Sequence, residues 1–373
     1  MSNKSMNAEI ELKLLVSPQD HDSLIKNLNK LHNSSYCKSE FLFNHYFDTS
    51  TLQLAQWDMG LRVRGSKNHQ EQTIKTAGSV INGLHSRPEY NVSTAEKTPN
   101  LFLFPDHIWP KGTVIAELNS ALMAIFDTSF TRHTWIVSLN QSKIEVALDS
   151  GEVITPKNNG VISELEFELI EGNSADLILL GLIMIEYIPL RLGQQSKALT
   201  GYLLSERVPF KLNTNWPTEL DNLKSSAHIP PEALKPLLKM GLSHWLQLES
   251  ALEYMANLFN SESHPLDELH NQQLTDTLAR TALYLSTFEQ LLRCIMLISH
   301  AMLQHKVCSE QLKQDTQPLT ALINRLIIDL TAIPNCTPQL PNQAHSSLAS
   351  IENLWQLKSY GKLQLTLMQY LTC

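Results

Sequence analysis

The amino-acid sequence predicts an α+β protein, in which a closed antiparallel β-barrel with flanking helices precedes an all-α helical bundle. Two observations predict this division. In the first half of the chain, charged and apolar residues alternate in short runs, and a period of two is typical of half-buried strands. Beyond a proline-rich stretch, leucines recur every three or four residues, which is the period of amphipathic helices.

About eight strands are predicted in the first half, the number usual for a small closed barrel. They cover residues 9–16, 41–47, 60–64, 70–76, 89–93, 131–139, 143–148 and 162–170. A helix is predicted from Ser17, which is followed by Pro18 and an acidic residue at positions typical of a helix start. The apolar run from Leu177 to Ile185 predicts a second, buried helix. Both helices can cover apolar outer faces of the barrel.

Prolines mark the boundary between the two parts of the chain. The segment from Pro209 to Pro231 carries four prolines among polar residues, which indicates a linker. We therefore predict a barrel domain over residues 1–207, a linker over residues 208–230 and a helical bundle over residues 231–373.

Composition limits the class of protein. The chain has 373 residues, of which 43% are hydrophobic, and a net charge of −8; this fits a soluble protein and disfavours a general nucleic-acid binder. The N-terminus lacks an apolar signal segment, and no apolar run approaches the ~20 residues that cross a bilayer, so no membrane partner is expected. The cysteines are scattered without CxxC spacing, which favours a reducing cytoplasm.

Charged groups occupy one face of four predicted strands. Because alternate side chains point to the same side of a strand, the shared faces carry Glu9, Glu11 and Lys13; Glu164, Glu166 and Glu168; Arg62 and Arg64; Thr73 and Lys75. An ordinary antiparallel sheet with its polar side toward water would also alternate. The sorting of carboxylates and basic groups onto different strands favours a barrel whose charged faces point inward.

An acidic cluster that faces a basic cluster has the composition of a metal–polyphosphate site. Hard divalent cations bind carboxylate oxygens together with substrate phosphates, and polyphosphates bind arginine and lysine side chains. The sequence therefore predicts a charge-lined β-tunnel that holds a divalent metal ion together with a polyphosphate.

The run from Glu9 to Lys13 is similar to the ExExK signature of the CYTH superfamily, the triphosphate tunnel metalloenzymes. The similarity continues in the family's order over roughly half of the chain, residues 6–205. Further motifs that carry it are Tyr46-Phe47-Asp48-Thr49, Gly60-Leu61-Arg62-Val63-Arg64, Thr73-Ile74-Lys75, Arg87-Pro88-Glu89, Arg132, Glu164-Leu165-Glu166-Phe167-Glu168 and Ser196-Lys197. ExExK alone is a weak signal, whereas the ordered set is specific.

The resemblance implies a role for each matching position. The expected metal ligands are Glu9, Glu11, Asp149, Glu164, Glu166 and Glu168. The residues expected to bind the triphosphate are Lys13, Arg62, Arg64, Lys75, Arg87, Arg132 and Lys197. The residues expected to act in catalysis are Lys75, Arg62 and Glu166. The faces of Arg87, Glu145 and Glu168 stay open, because a β-bulge would shift the alternation by one residue.

The resemblance implies hydrolysis of inorganic triphosphate to diphosphate and orthophosphate with Mg²⁺ or Mn²⁺ as the cofactor. Adenylate cyclases and thiamine or nucleoside triphosphatases of the same superfamily are alternatives, and a cyclase would need a base pocket, for which Trp57 is a candidate unless it packs in the core or rim. A non-enzymatic polyphosphate-binding module would need only the basic groups. The sequence indicates no basic, aromatic-rich surface of the kind that RNA binding requires.

The helical region is similar to the second domain of two-domain bacterial inorganic triphosphatases, which in relatives is often a basic, polyphosphate-binding CHAD domain. From Asp221 onward, this chain has ten Lys and Arg residues against thirteen Asp and Glu residues. The stretch from Gln272 to Leu278 contains no arginine. We therefore expect a degenerate CHAD-like bundle with a structural or docking role, while the oligomeric state stays open.

Overall fold

The computed structural model describes residues 9–65, 70–81, 84–208, 215–224, 229–261, 271–307, 309–331 and 340–372. The chain forms two compact units, one of residues 1–177 and 195–210, the other of residues 178–194 and 211–373. We call them the barrel unit and the helical unit. This division places residues 178–194 with the helical unit. The predicted end of the barrel domain at residue 207 and of the linker at residue 230 stay predictions.

Ten antiparallel strands form a continuous sheet path in the described part of the barrel unit. They are β1 Glu9–Leu15, β2 Ser34–Asp48, β3 Gly60–Gly65, β4 Gln70–Lys75, β5 Ser79–Ile81, β6 Leu84–Arg87, β7 Glu89–Ser93, β8 Met123–Leu139, β9 Ser142–Ile154 and β10 Asn159–Glu171. Their spatial order is β5-β6-β1-β10-β9-β8-β2-β3-β4-β7.

The sheet path curls into a nearly closed barrel. Strands β6 and β7 lie near opposite ends of the spatial order, yet only Pro88 separates them along the chain, so the two ends of the path meet there. The predicted α+β barrel is confirmed. The short strands β5 and β6 were missing from the sequence prediction, because three or four residues are too few to show a period.

Five helices lie or begin in the described part of the barrel unit, and the first and fourth of them follow the predicted signals. They are α1 His21–Lys30, α2 Gln53–Gln56, α3 Ile115–Ser120, α4 Ala175–Met184 and α5 Lys197–Leu204, with α4 extending past the end of the barrel unit. The start predicted at Ser17 is a 3₁₀ turn, Pro18–Asp20, that runs into α1. Leu24 and Leu28 bury the apolar face of α1 completely. The apolar run predicted as a buried helix forms α4.

Apolar side chains cover the outer face of β3 and β4. Leu61, Val63 and Ile74 alternate with the charged positions of these strands and are at most 2% exposed. They pack with Leu101, Phe104 and Trp109, which follow β7 along the chain. We call this cluster the outer core. Its burial leaves the alternate, charged positions of β3 and β4 on the inner face, as predicted.

Helix α5 packs against an apolar part of the barrel interior. Phe126 and Phe130 point inward at alternate positions of β8 and pack with Tyr202 and Leu204 of α5. A Cβ at Gly201 would overlap the Phe126 ring, so the glycine permits this close approach. The helix therefore holds its first residue against the charged part of the interior.

Buried Asp48 fixes α5 to the turn that follows β2. Its carboxylate accepts a hydrogen bond from the Tyr202 hydroxyl at 2.9 Å. It also accepts from the backbone N–H groups of Thr49, Leu54 and Ala55 at 2.7–2.9 Å. A fully buried carboxylate is tolerated here because four donors replace the lost water.

Five helices make up most of the described part of the helical unit, which confirms the predicted bundle. They are α6 Pro231–Ser261, α7 Asn271–Gln304, α8 Glu310–Thr331, α9 Leu340–Trp355 and α10 Lys358–Thr372. Helix α7 packs against α6, α8 and α9. Within the described chain, its stretch Leu278–Gln304 has the length and composition to cross a membrane, and 61% of its most apolar window is buried. Such burial is typical of the core helix of a soluble domain.

A buried polar network centres on Glu249 in the helical unit. Its Oε1 accepts hydrogen bonds from Trp245 Nε1 at 2.6 Å, from Gln364 Nε2 at 2.8 Å and from the Tyr360 hydroxyl. Arg191 Nη1 donates to the other carboxylate oxygen at 3.3 Å. Burial raises the pKa of Glu249 to about 7, against the opposing effects of Arg191 and of the Tyr360 hydrogen bond.

We predict that the helical unit loses stability as the pH rises from about 5 to about 8. Folded Glu249 holds its proton more tightly than the unfolded chain does, so its contribution is complete below pH 4.5 and is lost as the pH rises through about 7. The loss amounts to at most about 3 kcal/mol in the free energy of unfolding. Thermal unfolding followed across this range measures it. Glu249→Gln should flatten the dependence, and an unchanged slope in that variant would contradict the assignment.

Candidate active site

The register of the barrel strands brings together charged residues that are distant in sequence. Arg132 on β8 lies directly opposite Asp149 on β9, and Asp149 lies opposite Glu164 on β10. In the next row, Lys13 on β1 lies opposite Glu166 on β10. Because directly opposite residues in an antiparallel pair have Cβ atoms only about 5 Å apart, these side chains meet inside the barrel.

Three carboxylates and three basic groups form one connected ion cluster. Its members are Asp149, Glu164, Glu166, Lys13, Arg132 and Lys197. Arg132 binds Asp149 through two hydrogen bonds of 2.6 Å and binds Glu166 through one of 2.7 Å. Lys13 Nζ lies 2.8 Å from Glu164 and 3.0 Å from Glu166. The cluster therefore balances its own charge.

Lys197 makes the most extensive contacts of the basic groups in the ion cluster. Its Nζ lies 2.6 Å from Asp149 Oδ2 and 3.1 Å from Glu166 Oε1, and it contacts Glu164 Oε1 directly. Lys197 is the first residue of α5, and Ser196 caps that helix by accepting from the Leu199 N–H. The position of α5 in the barrel interior thus delivers this ammonium to three carboxylates.

Burial makes the pairing in the ion cluster energetically important. Asp149 is fully buried and Lys13 is 2% exposed. Burial alone acts to lower the pKa of Lys13, but Glu164 and Glu166 outweigh it and raise that pKa above its ordinary value. Burial likewise acts to lower the pKa of Arg132, and Asp149 outweighs it. Both groups therefore stay protonated, and removal of either leaves the buried carboxylates with too few cationic partners.

Two arginines of β3 lie beside the ion cluster with fewer partners. Arg64 Nε donates to Asn44 Oδ1 at 2.9 Å, and among the described residues Arg64 forms no ion pair. Burial, with Arg62 and Arg132 nearby, lowers the pKa of Arg64 to about 9. Arg62 lies 3.8 Å from Glu89, and its Nε is buried with no acceptor in the described part of the chain. Buried cationic donors in this condition are satisfied by an anion.

Four further carboxylates lie at one side of the ion cluster. We call them the carboxylate row: Glu9, Glu11, Glu145 and Glu168. Glu11 lies opposite Glu168, and Glu168 lies opposite Glu145. Glu145 and Glu168, whose orientation the sequence left open, therefore lie on the same face as Glu11. Burial, then Glu145 and Glu11, raise the pKa of Glu168. Burial raises the pKa of Glu9 to about 7, although Lys75 lies 3.3 Å away and opposes this.

Glu89 is a member of the site that the sequence reasoning did not assign. Lys75 Nζ lies 2.7 Å from its Oε2. Burial acts to raise the pKa of Glu89, but Lys75 and Arg62 bring it down to about 2. Its place in the Arg87-Pro88-Glu89 motif was the available signal. The structure shows what the motif did not, namely that Glu89 holds the ammonium of Lys75.

Arg87 contacts groups at the end of the barrel. Its Nε donates to the Thr76 carbonyl at 3.0 Å, and its Nη2 donates to Asp58 Oδ1 at 2.9 Å. Arg87 lies opposite Glu9 in the register of β1 and β6. Its guanidinium nevertheless binds Thr76, which follows β4, and Asp58, which precedes β3. Its expected part in triphosphate binding stays a prediction.

The donor atoms of the ion cluster fit a hard divalent cation. One ligand oxygen from each of Asp149, Glu164 and Glu166 lies within 4.8 Å of the others. Carboxylate oxygens are ligands that suit Mg²⁺ and Mn²⁺. The ammonium of Lys197 contacts the same three carboxylates, so an ammonium and a metal ion would compete for them.

Known proteins share sequence with the barrel unit. Residues 7–202 match the family model of the CYTH domain. An inorganic triphosphatase of Haemophilus influenzae is 40% identical over 214 residues, which are 56% of this chain and 57% of that protein. The chain thus matches little more than half the length of this curated relative.

Two solved structures are similar at lower identity. One is an adenylyl cyclase candidate from Hippeastrum, described as having a dominant triphosphatase activity; it is 22% identical, with 51% of this chain and 92% of that chain covered and a TM-score of 0.39. The other is an adenylate cyclase candidate from Bacillus halodurans; it is 24% identical, with 48% and 89% covered and a TM-score of 0.33.

Opposite stability effects are expected from removing two of the arginines. Arg64→Met removes a partly buried charge that has no carboxylate partner among the described residues, so in phosphate-free buffer we expect the free energy of unfolding to rise by about 1 kcal/mol. Arg132→Met leaves Asp149 and Glu166 underpaired, so we expect a loss of about 3–5 kcal/mol. Urea unfolding of both variants beside the parent protein measures these changes. Equal destabilisation by both would refute the difference in pairing.

Proposed function

The chain belongs to the CYTH domain family, and we propose that it hydrolyses inorganic triphosphate to diphosphate and orthophosphate inside the barrel. The Haemophilus influenzae relative, at 40% identity over the shared part, is an inorganic triphosphatase. That likeness and the charges of the barrel interior support the same reaction.

The observation that carries the proposal is the state of the two β3 arginines. Within the described residues, Arg62 has a buried Nε without an acceptor, and Arg64 is a partly buried guanidinium without a carboxylate partner. An unpaired buried charge costs several kcal/mol unless a counter-charge arrives. A triphosphate supplies several negative oxygens over a short length, which matches two adjacent guanidinium groups.

The remaining basic residues extend this anion site along the interior. We propose that the triphosphate is bound by Lys13, Arg62, Arg64, Lys75, Arg87, Arg132 and Lys197. The acidic residues would hold Mg²⁺ or Mn²⁺, with ligands drawn from Glu9, Glu11, Asp149, Glu164, Glu166 and Glu168. A bound divalent cation would neutralise phosphate charge and lower the pKa of a bound water.

In the proposed reaction, the oxygen of a water molecule attacks the terminal phosphorus while the bond from that phosphorus to the bridging oxygen breaks. Arg62 and Lys75 stabilise the negative charge that develops on the leaving diphosphate. Lys197, Lys13 and Arg132 outweigh burial and hold the pKa of Glu166 well below its ordinary value. Glu166 therefore orients the water, and Glu168, whose pKa is raised, is better suited to accept the proton.

The alternative functions gain less support. Trp57, the candidate for stacking on a nucleotide base, packs against the outer core, which favours a packing role over a base pocket. A simple polyphosphate-binding module would have no use for carboxylates that share the interior with the basic groups. We further propose a cytoplasmic protein with a small-molecule substrate, without nucleic-acid or membrane partners, and a helical unit with a structural or docking role.

Phosphate release with Mg²⁺ or Mn²⁺ tests the proposed activity. Purified protein is expected to release orthophosphate from inorganic triphosphate faster than from thiamine triphosphate or ATP. Arg62→Ala should reduce turnover roughly 10²–10³-fold, since it removes an electrostatic donor of the transition state. The double variant Glu9→Ala/Glu11→Ala should be inactive. Lys30→Ala, a change at an exposed position of α1, serves as the control and should retain full turnover.

The products distinguish the alternatives. Pyrophosphate release from ATP would identify a cyclase. Binding of triphosphate without hydrolysis of any of the three compounds would identify a binding module. Near-normal turnover of Arg62→Ala would remove that residue from the catalytic set.

A further inference from the structure

Given the triphosphatase activity proposed above, we propose that Lys197 occupies the metal position of the ion cluster in the substrate-free protein. The anionic substrate then draws its ammonium away, so that a divalent cation enters the cluster only together with the triphosphate. Lys197 would thus act as a positioning residue that couples metal binding to substrate binding.

The contacts of Lys197 are those expected of a resident cation. Its Nζ touches Asp149, Glu164 and Glu166 at once. These are the carboxylates whose ligand oxygens lie within 4.8 Å of one another. Lys13 touches only two of them, Glu164 and Glu166. The ammonium of Lys197 therefore fills the space that their oxygens surround.

The charge of the ion cluster explains why a metal ion would be excluded. Its three carboxylates are matched by the cationic groups of Lys13, Arg132 and Lys197. A divalent cation added to this neutral, buried set would lie beside an ammonium, and like charges at such distances repel strongly. Withdrawal of Lys197 leaves a net negative set of oxygen ligands, which suits Mg²⁺ or Mn²⁺.

The neighbouring arginines indicate what would withdraw Lys197. Among the described residues, Arg62 Nε has no acceptor and Arg64 forms no ion pair, so an anion is favoured in the adjacent part of the interior. Phosphate oxygens bound there offer the ammonium a new partner. Lys197 is suited to this exchange, because its long, flexible stem projects from the first turn of α5, whereas Lys13 projects from the middle of a sheet strand.

The exchange makes metal and anion binding mutually favourable. An anion that removes Lys197 from the carboxylates raises their affinity for metal, and linkage requires that bound metal raises the affinity for the anion by the same factor. A lysine that served structure alone would not produce opposite effects on the two ligands when it is replaced.

The experiment compares two separate binding reactions of the whole 373-residue chain. Mn²⁺ binding without any phosphate compound is measured by electron paramagnetic resonance of free Mn²⁺. Binding of pyrophosphate in EDTA is measured by calorimetry. We expect Lys197→Met to bind Mn²⁺ at least about tenfold more tightly than the parent protein and metal-free pyrophosphate at least about tenfold more weakly. The matched control, Lys30→Met on the exposed face of α1, should change neither.

A second variant locates the gained metal affinity. Asp149 belongs to the ion cluster and not to the carboxylate row, so Asp149→Asn would remove a ligand from a metal ion held by the cluster. Adding Asp149→Asn to Lys197→Met should therefore return the Mn²⁺ affinity toward the parent value. If Lys197→Met is unstable without metal, Mn²⁺ should raise its melting temperature more than that of the parent protein, and Lys197→Gln provides a polar replacement for the same two measurements.

Three outcomes would overturn the proposal: unchanged or weaker Mn²⁺ binding by both Lys197 variants, unchanged pyrophosphate binding, or a gain in Mn²⁺ affinity that survives Asp149→Asn. Neither measurement involves hydrolysis. Failure of the coupling is therefore distinct from failure of the proposed triphosphatase activity, which phosphate release decides.

Discussion

The pairing of carboxylates with basic groups inside the barrel is the constraint on which the rest of the structure depends. An interior lined by charge would ordinarily prevent folding, because each ion loses its hydration on burial. Arg132 and Lys197 restore much of that loss by direct contact with Asp149, which is fully buried. The apolar groups then occupy the outward positions of the strands, and the outer core and α1 cover them.

Barrel closure and α5 place the two halves of the site. Strands β1 and β8 supply Lys13 and Arg132, while α5 supplies Lys197. The helix is held by its packing on Phe126 and by the hydrogen bond from Tyr202 to Asp48. Asp48 therefore contributes to the site without touching it, because it anchors the helix that carries a central ammonium. A change that frees α5 would alter the charge balance of the whole interior.

The incomplete pairing of the β3 arginines marks where stability is given up for binding. The ion cluster is neutral, whereas Arg64 has only the amide of Asn44 as its described hydrogen-bond acceptor. Proteins keep such unsatisfied groups where a ligand completes them.

The sequence by itself determined the alternation of charge on β1, β3, β4 and β10, the helix start at Ser17 and the helical period of the second half. These features are local, since a strand or helix reveals its period within a few residues. The ordered motifs also indicated the family and most of the charged residues that meet inside the barrel. Strands β5 and β6 are too short to show a period, so the sequence did not reveal them.

Only the tertiary structure decided which charges meet. Register, which depends on the pairing of whole strands, set Arg132 against Asp149 and placed Glu145 and Glu168 on the face of Glu11. The partnership of Glu89 with Lys75 also depends on strand pairing. The assignment of residues 178–194 to the helical unit and the contacts of Arg87 with Thr76 and Asp58 likewise arise from long-range packing. No period in the chain encodes a distance between segments far apart in sequence, so these contacts required the folded protein.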